Sequence, residues 1–129
     1  MPATTVFFYC DDGERTPVLE WLQSLREENQ KAYAKCVARI QRLAAEGHEL
    51  RRPEADFLRD GIYELRARSG NVNYRLLYFF HGQNVAVLAH GLTKEAEVPT
   101  ADIERALERK KRFENDPDKH TYEEKTEDG

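Results

Sequence analysis

The chain has 129 residues, 40% hydrophobic and 34% charged, with a formal net charge of −4. That length supports one domain around one core and leaves no room for two. No apolar run approaches the ~18 residues of a membrane span, and the opening MPATTVFFYCDD lacks the basic start and small-residue cleavage site of a signal peptide, so a cytoplasmic protein with no membrane partner is expected.

Thr5–Cys10 is β-branched and aromatic and predicts a short strand, ended by Asp11-Asp12-Gly13. Thr16-Pro17 opens a helix in which Val18, Trp21, Leu22 and Leu25 fall on one face. A polar break at Glu27–Gln30 separates it from a second helix, striped by Tyr33, Cys36, Val37, Ile40, Leu43 and Ala44 and stopped by Gly47. Residues 48–61 predict a polar loop. Three strands then form a meander: Ile62–Arg68, Val72–Phe80 and Val85–Leu92. Their turns are Asp60-Gly61, Ser69-Gly70-Asn71 and His81-Gly82-Gln83-Asn84. Thr93–Pro99 connects to a last helix with Ile103, Ala106, Leu107, Lys110 and Phe113 on one side. The expected fold is α+β: a small antiparallel sheet of about four strands, an N-terminal helical hairpin on one face, and a C-terminal helix partly covering the other.

The charge is uneven. Residues 114–129 hold seven acids and two bases, so they carry −5 and residues 1–113 carry about +1. The expected division is a domain over 1–113 and a disordered acidic tail over 114–129. Cys10 and Cys36 form no CxxC pair and read as buried thiols. The seven glycines are scattered and build no phosphate loop. Neither serine lies in a nucleophile elbow, and the four histidines have no metal-ligand spacing. No cofactor and no metal are expected.

The first strand of the meander alternates, with Tyr63, Leu65 and Ala67 on one side and Glu64, Arg66 and Arg68 on the other. A sheet that displays guanidinium groups suits a phosphodiester. Arg66 and Arg75, on neighbouring strands, can clamp a phosphate, and Lys94 can add a point charge. His90 or Glu64 can move a proton, and Tyr74 or Tyr78 can stack on a base. The blander alternative stays open for each. Glu64 can simply pair with Arg66 or Arg75, Tyr78 can be core, and His90 can be a structural histidine.

Gly61-Ile-Tyr-Glu-Leu-Arg66, then Tyr74-Arg75-Leu-Leu-Tyr78, then Leu88-Ala-His-Gly-Leu-Thr-Lys94 and a helix after Pro99 resemble the RelE/ParE toxin superfamily, and within it the phage-derived HigB-type branch. The resemblance covers roughly residues 5–113. It implies the toxin of a type II toxin–antitoxin pair, a ribosome-dependent and metal-independent mRNA endonuclease. Its implied partners are the ribosome, mRNA and a cognate antitoxin, often a helix-turn-helix protein. By the same resemblance Arg66 and Arg75 bind and polarise the phosphate, and Lys94 is the first residue of a basic pair. The second position of that pair is Glu95 here, a departure from the pattern, and the acidic tail is another. Two alternatives fit the same fold: a ParE-like toxin that poisons a topoisomerase by protein contact, and a non-catalytic interaction or regulatory module.

Overall fold

The structure, a computed structural model, describes residues 4–93 and 97–122. Strand β1 (Thr5–Tyr9) leads to helix α1 (Pro17–Glu28), which Pro17 opens and which buries Val18, Leu22 and Leu25 at helical spacing. Asn29 ends α1 and caps α2 (Gln30–Glu46): its side chain accepts from the Ala32 backbone N–H at 3.1 Å. Gly47 stops α2 with φ 56°, where a Cβ would collide with the Thr4 hydroxyl. After a 3-10 turn at Gly47–Glu49 come strands β2 (Ala55–Arg59), β3 (Ile62–Ser69), β4 (Val72–His81) and β5 (Val85–Thr93). Helix α3 (Thr100–Asn115) and the two-residue strand β6 (Thr121–Tyr122) complete the described chain.

The sheet runs in the order β2-β3-β4-β5-β1-β6. Strands β2 to β5 are successively antiparallel, and β1 lies parallel to β5. Helices α1 and α2 cover one face. Their Val18, Leu22, Ala32, Cys36 and Leu43 pack on Phe8, Leu65, Ala67, Tyr74, Tyr78 and Leu88. Helix α3 covers part of the other face, setting Ala106 and Phe113 on Tyr9, Ile62, Leu77, Phe79 and Val87. Full burial of each large apolar side chain contributes roughly 1.5–3 kcal/mol. The two clusters are therefore what hold the helices to the sheet.

The α+β class, the hairpin, the meander and the covering helix are as expected. Three details differ. The sheet is mixed, because β2 runs opposite to β1 and the three reversals that follow leave β5 parallel to it. Ala55–Arg59 is a strand where a loop was expected. Asp60 and Gly61, at φ 53° and 84°, form a two-residue reversal that pairs β2 with β3. The boundary at 113 also moves. Helix α3 runs on to Asn115, and Thr121–Tyr122 pairs with Phe8 and Tyr9 of β1. His120 is buried there, its Nδ1 2.7 Å from the Cys10 carbonyl oxygen and its ring stacked on Tyr9 at 5.4 Å. Burying one aromatic ring and pairing the backbone outweighs the polarity of the segment. Residues 123–129 of the expected tail lie outside the described residues.

Candidate functional site

Register places the central pair. Arg66 of β3 stands directly opposite Arg75 of β4, and like charges so placed repel unless a counter-charge lies between them. Glu64, two residues before Arg66 and on the same face, supplies it. Its carboxylate is only 2% exposed. Oε2 accepts from Arg66 Nε and Nη2 at 3.1 and 2.9 Å, and Oε1 accepts from Arg75 Nη1 at 2.5 Å. Arg75 is 12% exposed and Arg66 36%. The array continues to the sheet edge, where Asp56 of β2 accepts through Oδ2 from Arg66 at 3.4 Å and from Arg52 at 2.8 Å. Five side chains thus alternate in sign: Arg75, Glu64, Arg66, Asp56, Arg52. The Arg52 guanidinium, helped by Arg66, holds the Asp56 carboxyl below the usual carboxylate range.

These groups border a recess of about 310 Å³ on the face shared with α3, lined by Asp56, Leu58, Glu64, Arg66, Arg75, Glu97, Val98 and Ile103. Support comes from behind the sheet. Arg39 of α2 donates from Nε to the Arg66 carbonyl at 2.8 Å, and Arg39 and Arg42 both pair with Glu54. The Arg42 contact holds the Glu54 carboxyl below its ordinary value. The backbone N–H of Arg66 donates to the Glu54 carbonyl at 2.8 Å, so β3 is anchored at the residue that carries the guanidinium.

Of the residues expected at the site, the structure brings together Glu64, Arg66 and Arg75. Arg68 points along the same side but donates from Nε to the Gly70 carbonyl at 3.1 Å, in the turn. Tyr74 and Tyr78 are a correction. They alternate with Arg75 along β4, so both are buried on the opposite face, beneath the helical hairpin, and neither reaches the arginines. Burial pushes the Tyr78 hydroxyl far above its ordinary pKa. Lys94 and Glu95 lie outside the described residues.

His90 is on the α3 face because of a bulge. Leu77 pairs with His90 but Tyr78 pairs with Leu88, which leaves Ala89 as an extra residue and shifts the alternation of β5. The ring is then taken up by α3: Nε2 lies 2.6 Å from Asp102 Oδ1 and Nδ1 3.4 Å from Arg109 Nη1. Arg109 also donates to the Ala89 carbonyl at 2.6 Å. Burial holds the imidazole below its ordinary pKa, outweighing the Asp102 hydrogen bond that pulls the other way. Arg109 and Arg105 add to the depression. A neutral ring that donates from Nε2 and presents Nδ1 to Arg109 satisfies both contacts. In this arrangement His90 pins α3 to β5 and does not face the arginine pair.

Chemically, the arrangement offers two guanidinium groups at fixed separation and one carboxylate within reach of both, in a shallow recess open to a ligand. Planar guanidinium forks match the oxygens of a phosphodiester. Among the described residues no group of three or more His, Cys, Asp or Glu side chains is placed to hold a metal ion. Among the same residues no helix is long and apolar enough to cross a membrane.

Comparison with known families finds a match to the model described as Phage derived protein Gp49-like (DUF891) over residues 20–111. The matched stretch runs from within α1 to within α3 and contains the whole charge array and the His90–Asp102 pair. No curated protein matches the chain.

Proposed function

The chain belongs to the phage-derived Gp49-like family, and from that premise we propose that it is the toxin of a type II toxin–antitoxin pair, acting as a ribosome-dependent mRNA endonuclease. The observation that carries the reading is the cross-strand Arg66–Arg75 pair, held at fixed separation by the buried Glu64 at the floor of an open recess. Cleavage by the 2′-hydroxyl raises negative charge on the phosphate, and preorganised guanidinium groups stabilise that charge as it develops. Arg75, the more buried of the two, would hold the non-bridging oxygens, and Arg66 would follow the leaving oxygen. Glu64 would take the 2′-hydroxyl proton once the phosphate draws the guanidinium groups away from it, and the 5′ oxygen, released as the 2′,3′-cyclic phosphate closes, would take its proton from water or from the protonated Glu64. Lys94 would add a further cation. The ribosome would deliver the mRNA, and a cognate antitoxin would hold the toxin inactive.

Primer extension on mRNA from cells expressing the chain tests this reading. The expected result is cleavage within translated codons, abolished by Arg75→Ala or Arg66→Ala and retained by Arg59→Ala. Losing one such contact in the transition state raises the barrier by roughly 2–4 kcal/mol, enough to stop growth arrest. One observation favours a second reading: both arginines already hold carboxylates, as structural ion pairs do. A ParE-like toxin that acts by protein contact alone would arrest growth with a DNA-damage response and no mRNA cleavage.

A further inference from the structure

Beyond the arginine pair, the array ends at a sheet edge with different chemistry. Strand β2 is an edge strand, and Phe57 projects from it 53% exposed. The ring is not loose. It packs edge-on against Tyr63 at 5.1 Å, and Tyr63 stacks on Tyr78 at 5.4 Å and meets Phe80 at 5.2 Å. His48 covers Phe80 at 3.7 Å. Beside this aromatic bank the exposed guanidinium groups of Arg51 and Arg52 border a recess of about 470 Å³. Its one carboxylate, Asp56, is ion-paired to Arg52.

The two recesses share a wall. Asp56 borders both, and its Oδ2 accepts from Arg52 on one side and Arg66 on the other. Guanidinium groups therefore run from Arg75 through Arg66 to Arg52 at the edge of β2, and Phe57, which pairs with Tyr63 and so faces the hairpin side of the sheet, stands across that edge with its ring exposed. A cationic track that reaches the sheet edge beside a rigid exposed aromatic suits a single-stranded nucleic acid that crosses the edge, its phosphates following the track and a base stacking on the ring. An extended peptide added to β2 would use its backbone edge and has no need of the guanidinium track.

We infer that the Phe57–Tyr63–Arg52 edge is a second subsite, which takes the nucleotide flanking the phosphate held by Arg66 and Arg75 as the strand crosses the edge of β2. The base stacks on Phe57 and its phosphate meets Arg52 in place of Asp56. The inference rests on the RNA reading of the arginine pair and adds to it a binding element on the other side of β2. Stacking is indifferent to base identity, so this subsite contributes affinity and direction rather than sequence choice.

The test is an NMR titration at low salt of the full chain with a 2′-O-methyl tetraribonucleotide, which cannot be cleaved, and with the same oligonucleotide made abasic at the flanking position. In the native protein the Phe57 and Tyr63 ring signals shift, and the abasic oligonucleotide binds about tenfold more weakly. Phe57→Ala shows the same loss, and then no longer distinguishes the two oligonucleotides. Phe57→Trp retains the native affinity. Binding by Phe57→Ala within twofold of native, while an Arg66→Ala/Arg75→Ala variant binds poorly, overturns the subsite and leaves the phosphate reading standing. The reverse pattern supports the subsite and removes the phosphate reading. If Phe57→Ala leaves RNA binding unchanged but weakens the antitoxin complex, the edge is a protein-docking strand and the inference fails.

Discussion

Replacing Glu64 by Gln should destabilise the domain more than any other single isosteric change at the site. The carboxylate is 2% exposed and accepts three charge-assisted hydrogen bonds, two from Arg66 and one from Arg75. Gln keeps one acceptor, loses the charge and turns an amide donor toward a guanidinium. Arg75, 12% exposed, then remains charged without that carboxylate. Arg66 suffers less, because it is 36% exposed and still faces Asp56. Breaking a buried pair from one side costs about 3–5 kcal/mol, and the exposure of Arg66 puts this case near the low end, about 3 kcal/mol. With an m-value of about 1.5 kcal/mol/M the urea midpoint falls by about 2 M. Trp21 is the chain's one tryptophan and packs against Gly91 and Tyr74, so its fluorescence reports the unfolding of the core. Glu64→Leu combined with Arg75→Leu should recover part of the loss, since the buried guanidinium goes together with its carboxylate and Arg66 keeps Asp56. A Glu64→Gln midpoint within about 0.3 M of native would refute the claim that this carboxylate holds the arginine pair together.

The packing sets three further outcomes. Gly91→Ala places a Cβ 2.5 Å from Trp21 Cδ2, so α1 must shift at a cost of about 1–3 kcal/mol, read as a lower melting temperature and altered Trp21 emission; a variant with native emission and melting would contradict that close approach. His90 favours its neutral form in the fold, so its contribution to stability is complete above its ordinary pKa of 6.5 and is lost as pH falls through the lower folded value. His90→Gln should therefore narrow the difference in melting temperature between pH 7.5 and pH 5.5, and an undiminished difference would place the titration elsewhere. Ending the chain at Asp116 removes the β6 pairing, the His120 contact with the Cys10 carbonyl and the Tyr9 stack, at about 2 kcal/mol by urea unfolding; a fully stable truncated chain would show that the segment only lies on the surface.

Local periodicity controls what is legible from the residues. The hairpin stripes, the meander and the Glu64/Arg66 face all come from spacings of 3.6 or 2. The same rule disposes of Tyr74 and Tyr78, because residues an odd number of positions from Arg75 on a strand must face away from it. Strand β2 is readable in principle. Asp60-Gly61 is a hairpin signal, and a hairpin needs a strand before its turn as well as after. With β2 comes Asp56, which links the arginine pair to Arg52 and which no pattern in the sequence singles out. The position of His90 is not readable, since one extra residue at Ala89 reverses the facing of its neighbours along β5 and nothing in Leu-Ala-His-Gly announces it. Strand β6 is hidden for another reason: a short polar segment has no pattern of its own, and its order comes from Tyr9 and β1.

If the proposed function holds, the charge array also bears on how the site would meet an RNA. Each guanidinium along it already has a carboxylate, so the cluster projects little field, in keeping with a body whose net charge is about +1. Long-range attraction for RNA is correspondingly small. A phosphate must displace Glu64 from Arg75, and Glu64 is tethered on the adjacent strand at high effective concentration. A free oligonucleotide competes weakly with such a neighbour, and best at low salt. On the proposed function an mRNA fixed on the ribosome would not enter by diffusion, since docking would present its phosphate at comparable effective concentration. The internal carboxylate thus favours substrate that is delivered over substrate that is merely encountered. Displacement also leaves Glu64 beside the phosphate as an acceptor freed from its guanidinium partners, where a 2′-hydroxyl proton has to go. On the proposed function the ion pairs that make the site look structural would make its chemistry conditional on delivery.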